Sequence, residues 1–96
     1  MKPGPKFKFL LYVAADTQNS VLAMGNLTAL CRTHLPGRHE IEVIDVLKDP
    51  QRALADGVFM TPLLIRLAPA PVRRIIGTLS QTDKVLQALG LEPLAV

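Results

Sequence analysis

The sequence predicts a small α/β fold with its elements in the order βαβαββα. Three observations carry that reading. Two short runs rich in aromatic and β-branched residues flank a long amphipathic segment. A Pro-Ala-Pro corner separates two further strand-like runs. A final helical stripe is bounded by Ser80 and Gly90. At 96 residues there is room for one domain and one hydrophobic core, expected over residues 1–96 with flexible ends at 1–5 and 92–96.

Residues 7–14 form the first strand, and the unbroken apolar stretch Leu10-Leu11-Tyr12-Val13 predicts that both of its faces are covered. Asp16 or Thr17 offers the N-cap of the first helix. Along that helix Ala23, Met24, Leu27, Leu30 and Cys31 recur at helical spacing, and Leu35-Pro36-Gly37 ends it. Glu40-Ile41-Glu42-Val43 alternates before running into 44–47, a second strand. A strand, a helix and a strand in this succession make a βαβ unit with parallel strands. Asp49-Pro50 then opens a short helix over 51–56 that Gly57 stops.

Residues 63–67 are the third strand. The corner Ala68-Pro69-Ala70-Pro71 cannot continue a central strand, so 72–77 returns antiparallel to it. Ser80 with Asp83 resembles a capping box, Val85, Leu86 and Leu89 form the stripe of a helix over 80–89, and Gly90 stands at its C′ position. This order is the thioredoxin-like arrangement. In that arrangement a cis-proline precedes the third strand, and Pro62 occupies the place.

Composition excludes several functions. The net charge of +3 is that of an ordinary soluble surface. Nucleic-acid binding calls for basic residues interleaved with exposed aromatics, whereas Phe7, Phe9 and Tyr12 fall in one core-like strand. No apolar stretch approaches the ~20 residues of a membrane helix. Lys2 and Lys6 precede an apolar run that passes directly into the domain without a cleavage region, so a cytoplasmic protein is expected, with neither nucleic acid nor membrane as partner.

The residues of chemistry are also missing from their places. A thiol oxidoreductase of this architecture needs a low-pKa cysteine at the N-terminus of the first helix. Here that turn reads Asp16-Thr17-Gln18-Asn19-Ser20, and the single cysteine, Cys31, lies toward the other end on the apolar side. His34 and His39 flank a Pro-Gly turn without a third metal ligand. Ser20 and Ser80 lack a histidine or carboxylate at a suggestive spacing, and no glycine-rich run precedes a helix. The sequence reads as a non-catalytic binding protein with no cofactor and no metal.

Leu11-Tyr12-Val13-Ala14 with Asn19-Ser20, the block from Val43 to Gln51, Thr61-Pro62-Leu63, Pro71-Val72-Arg73-Arg74-Ile75-Ile76-Gly77, Leu79-Ser80 and Lys84-Val85-Leu86 together resemble the KaiB family, in its order and with nearly its spacing. The resemblance implies a protein that docks on the ATPase ring of a KaiC-type partner and modulates its phosphorylation cycle. In cyanobacterial clocks such a protein also captures KaiA and competes with a thioredoxin-like sensor-kinase domain. It further implies two folds, a tetrameric ground state and a monomeric thioredoxin-like state that binds KaiC, exchanging helices and strands in the second half of the chain.

Departures from the cyanobacterial pattern are informative. The chain ends at Val96 without an acidic tail, Gly57 and Leu10 replace family lysines, Ala88 and Gly90 stand where a Gly and an Asp are usual, and Pro93 replaces an aromatic. The two lysine contacts are therefore not carried over, and the sequence leaves open whether KaiA is a partner. Replacing a helix-interior Gly by Ala favours helix by about 1 kcal/mol, so the tail favours the thioredoxin-like state. Pro62, Pro69, Pro71, Ala88 and Gly90 are the candidate fold-switch positions. Arg73 and Arg74 are the first candidates for partner contact; Arg66 on the adjoining strand extends the same basic patch, and Lys84 opens the last helix. Strand neighbours face opposite sides, so one of Arg73 and Arg74 at most faces the core. The alternative reading is an adaptor of a sensor histidine kinase or a stress-response pathway without KaiC. A homo-oligomer, dimer or tetramer, is compatible with either.

Overall fold

The computed structural model describes residues 5–15 and 17–91. Seven elements follow in the predicted order: β1 (Phe7–Val13), α1 (Gln18–His34), β2 (His39–Asp45), α2 (Pro50–Ala55), β3 (Leu63–Ala68), β4 (Arg73–Ile76) and α3 (Thr82–Ala88). The sheet runs β2-β1-β3-β4, with β2 parallel to β1 and the remaining pairs antiparallel.

Alternation along β1 builds two cores at once. Phe7, Phe9, Leu11 and Val13 meet Ala23, Leu27, Leu30 and Cys31 of α1, Val85 and Leu86 of α3 and its C-cap Leu89. Leu10 and Tyr12 point the other way, to Ile44, Leu63, Ile65 and Ala53 of α2. The second core is small, and polar ties reinforce it. The Tyr12 hydroxyl donates to the Asp56 carboxylate just past α2. Burial, aided by that carboxylate, pushes the Tyr12 phenol up to about 12. Arg52 of α2 donates from two nitrogens to Glu42 of β2, at 2.7 and 2.9 Å.

Both short helices end the same way. In α3 the Gly90 N–H donates to the Gln87 carbonyl and the Leu91 N–H to the Leu86 carbonyl, while in α2 Gly57 and Val58 repeat the pattern on Leu54 and Ala53. These are Schellman ends, and they need a left-handed residue at C′; Gly57 and Gly90 supply it with φ of 67° and 73°. Both stops stand where the sequence predicts them.

Several starts and faces differ from expectation. The N-cap of α3 is Gln81, with no side-chain cap bond. Ser80 instead binds the Thr78 hydroxyl at 2.6 Å and accepts from the Asn26 amide at 3.3 Å. The cause lies one residue earlier, where Leu79 takes a left-handed φ of 62° to reach the core and turns Ser80 away from the helix. Thr17, the N-cap of α1, also makes no side-chain cap bond; its hydroxyl donates to Ser20, whose oxygen also accepts the Ala14 N–H. Asp16 lies outside the described residues, as do Pro93 and the rest of the expected flexible end. Asp49 caps α2 by position only. Met24, expected in the core, is exposed, because the buried stripe of α1 runs through Ser20, Ala23, Leu27, Leu30 and Cys31. Thr61–Pro62 is cis, as expected; Ala68–Pro69 and Ala70–Pro71, for which the sequence carries no such expectation, are cis as well.

Ala88→Gly is expected to cost about 1 kcal/mol through lost helix propensity. Gly90→Asp should cost roughly 1–2 kcal/mol, because a Cβ must enter the left-handed region, and Gly90→Asn should cost less. Urea titration checks this: the midpoint should fall in that order at unchanged slope.

Candidate docking surface

The four sequence-named basic residues are divided by the strand pleat. Register pairs Arg73 with Arg66 and Arg74 with Ile65. Arg73 therefore shares the face that carries α1 and α3, and Arg74 the face that carries α2. Both are exposed on β4, which forms one edge of the sheet.

Arg66 does not belong to a surface patch. It is only 5% exposed, and its guanidinium donates to the Leu89 carbonyl at the end of α3 and, at 2.7 Å, to the Pro71 carbonyl. It also lies 5.8 Å from the centre of the Phe7 ring. The expectation that it extends the basic patch is corrected: the pleat turns it under the end of α3, where it ties that helix to the β3–β4 corner. Its Nε has no partner among the described residues. Burial, and then the neighbouring Arg73 charge, lower its pKa from the usual guanidinium value.

Arg74 is exposed yet engaged. Its guanidinium donates to the Gly57 carbonyl at 3.2 Å, at the C-terminal end of α2, where a cation suits the helix dipole. Arg73 makes no hydrogen bond among the described residues and is the freer of the two. Lys84 is exposed on α3 and lines an open cleft with Ile75, Ile76, Thr78 and Gln81.

Beside β4 lie apolar residues that the sequence reading passed over. Phe59 and Met60 are 86% and 61% exposed. They precede Pro62, whose carbonyl accepts the Gly77 N–H at 3.0 Å, so they sit at the same end of the sheet as Ile76, itself 58% exposed. The signal was available: Phe59-Met60 lies between the helix stop Gly57 and Thr61-Pro62, in a loop rather than in an element that could bury it.

The remaining chemically capable groups are structural. Cys31 is fully buried near the C-terminal end of α1, and burial pushes its thiol up to about 11. The ring Nδ1 of His39 meets the Leu35 carbonyl at 2.7 Å across the Pro36-Gly37 turn. No group of three metal-ligating side chains exists among the described residues, and no helix described is long and apolar enough to cross a membrane.

The KaiB domain family matches residues 10–91. The circadian clock oscillator protein KaiB of Synechococcus elongatus is 45% identical over 91 residues, covering 95% of this chain and 89% of that protein. A KaiB of Prochlorococcus marinus is 44% identical over the same share of this chain and 78% of its own length. This chain belongs to the KaiB family. Among solved structures, the N-terminal domain of Synechococcus elongatus SasA superimposes with a TM-score of 0.73 at 17% identity, covering 99% of this chain and 94% of that one. Mitochondrial thioredoxin 3 of Saccharomyces cerevisiae gives 0.71 at 17% identity, over 92% and 81%. Both establish the thioredoxin-like fold of this KaiB-family chain and nothing more specific.

Arg66→Glu should act as a folding lesion, lowering stability by more than about 3 kcal/mol because a carboxylate at this buried position would face the Leu89 and Pro71 carbonyls. Arg73→Glu should cost under about 1 kcal/mol; thermal melts of the two variants decide this. The buried thiol gives a pH test. A folded pKa raised above the unfolded value stabilises fully below the unfolded pKa and loses that contribution as pH rises through the folded one. Cys31 should therefore steepen the loss of stability between about pH 9 and 11. Cys31→Ser should remove that steepening and leave partner affinity within a few-fold, by denaturant titration across pH and by a binding assay.

Proposed function

We propose that this KaiB-family chain acts without chemistry of its own, docking on the ATPase ring of a KaiC-type protein and so modulating its phosphorylation cycle. The observation that carries the proposal is the β4 edge. Arg73 and Arg74 are exposed on it, in the block of sequence that most resembles the family; Lys84 lines the cleft at Ile76, and the exposed Phe59 and Met60 lie in the loop before β3. Charges at the rim of an interface steer association, and exposed aromatic and methionine side chains provide the desolvated contact. The thioredoxin-like state is the docking form. The tail residues Ala88 and Gly90 hold it by keeping α3 helical, and the tetrameric alternative is suppressed by the same two residues.

Size-exclusion of the protein with a KaiC-type hexamer, with and without nucleotide, tests the reading. Wild type should co-elute with the ring. Arg73→Glu with Arg74→Glu should weaken binding more than tenfold and flatten its salt dependence, while circular dichroism stays that of wild type. Unchanged affinity at low salt would remove the basic pair from the interface. A protein that ignores the ring but binds a sensor histidine kinase would be an adaptor of that pathway instead.

A further inference from the structure

The open side of β4 offers backbone hydrogen-bonding groups as well as charge. In an antiparallel ladder, residues alternate between pairs that exchange both backbone bonds and pairs that exchange none. The Gly77 N–H donates to the Pro62 carbonyl, which fixes the phase. Ile75 and Arg73 then turn their N–H and C=O groups toward β3, and Arg74 and Ile76 turn theirs outward. No backbone or side-chain partner occupies those outward groups among the described residues.

The charges around this edge are one-sided. From Gly57 to Thr82 the sequence carries three arginines and no carboxylate. Arg66 and Arg73 stand directly opposite each other on one face, an unfavourable like-charge pair with no acidic partner among the described residues. Arg74 stands alone on the other face, between the exposed Val72 and Ile76. The opposite edge, β2, is unlike it, since it bears Glu40, Glu42 and Asp45.

We infer that β4 receives an extended acidic strand from its partner, added antiparallel through the backbone groups of Arg74 and Ile76. Consecutive residues of a strand face opposite sides, so two adjacent carboxylates in that strand meet Arg74 and Arg73 together. Apolar residues two places to either side of the first carboxylate then lie against Ile76 and Val72. The segment recognised is apolar-x-acid-acid-apolar, read from its N-terminus. Ladder bonds give the affinity and the alternating side chains the selectivity. A second copy of this chain is a poor occupant: residues 72–77 contain two arginines and no acid, and on the acidic β2 edge Glu40 and Glu42 alternate rather than adjoin and are already paired with Lys6 and Arg52. The inference rests on the docking role proposed for this edge and adds the chemistry of the partner.

The test is NMR titration of the full chain with the blocked peptide Val-Thr-Glu-Glu-Val and its Val-Thr-Lys-Lys-Val counterpart. Saturable shifts and slowed exchange at the Arg74 and Ile76 amides are expected, with at least tenfold preference for the acidic peptide. Ile76→Pro removes one outward N–H without touching the ladder to β3 and should abolish binding. Arg73→Glu should reverse the preference toward Val-Thr-Glu-Lys-Val, a gain that misfolding could not produce. Shifts on β2, equal affinity for both peptides, concentration-dependent edge shifts without peptide, or none at millimolar peptide would each overturn strand addition. Loss of ring binding in Arg73→Glu alongside a silent peptide would overturn the strand and leave the docking role standing. Edge binding of the peptide alongside an Arg73-independent ring would support the strand and overturn the docking role.

Discussion

The two-sided burial of β1 sets the terms for everything around it. A strand with Phe9, Leu11 and Val13 on one face and Leu10 and Tyr12 on the other must be central and must carry helices on both sides. Its neighbours follow from that. β2 pairs along its whole length through the crossover that α1 provides, and β3 closes its other edge. The side under α2 has too few apolar residues to hold a six-residue helix by burial alone. The Tyr12–Asp56 bond and the Arg52–Glu42 pair make up the difference there.

The second half of the chain depends on a charge where an apolar side chain would be ordinary. Arg66 joins the end of α3, the Pro71 corner and the ring of Phe7. Its partners are backbone carbonyls that no substitution removes, so replacing Arg66 by a hydrophobe would leave them unsatisfied. Its value lies in orientation: the guanidinium fixes where α3 ends relative to β4. The apolar residues of α3 could slide along the sheet, but the carbonyl of Leu89 cannot leave Arg66 without stranding a buried cation.

Element order, parallel pairing of β1 with β2, the helix stops at Gly57 and Gly90 and the cis bond at Pro62 were all legible in the sequence. The order and the stops follow from local chemistry, hydrophobic period or a residue with one special backbone freedom; the pairing follows from the handedness of a βαβ crossover, and the cis bond from the thioredoxin-like arrangement. What failed needed tertiary knowledge. Ser80 looks like a cap, but only the burial of Leu79 shows that the chain swings past it. Met24 fits the helical period of α1, yet the sheet covers a stripe narrower than the pattern. Arg66 looks like any surface arginine of a strand, because nothing local reveals that the end of α3 lies above it. The candidate site was half legible, with Arg73, Arg74 and Lys84 found on the surface and Phe59 and Met60 overlooked.

The two edges of the sheet are unequal in a way that bears on solubility. One is acidic and the other basic, a pairing that invites copies of the chain to stack edge to edge, β2 against β4, in a head-to-tail contact that never closes and grows into a ribbon. Lys6 and Arg52 neutralise Glu40 and Glu42 within each molecule, at 3.0 and 2.7 Å. Exposed pairs of this kind add little to stability. Here they leave Asp45 as the one carboxylate of that edge without an ion pair among the described residues, so a neighbouring copy finds less charge there and the basic edge stays open for a different protein.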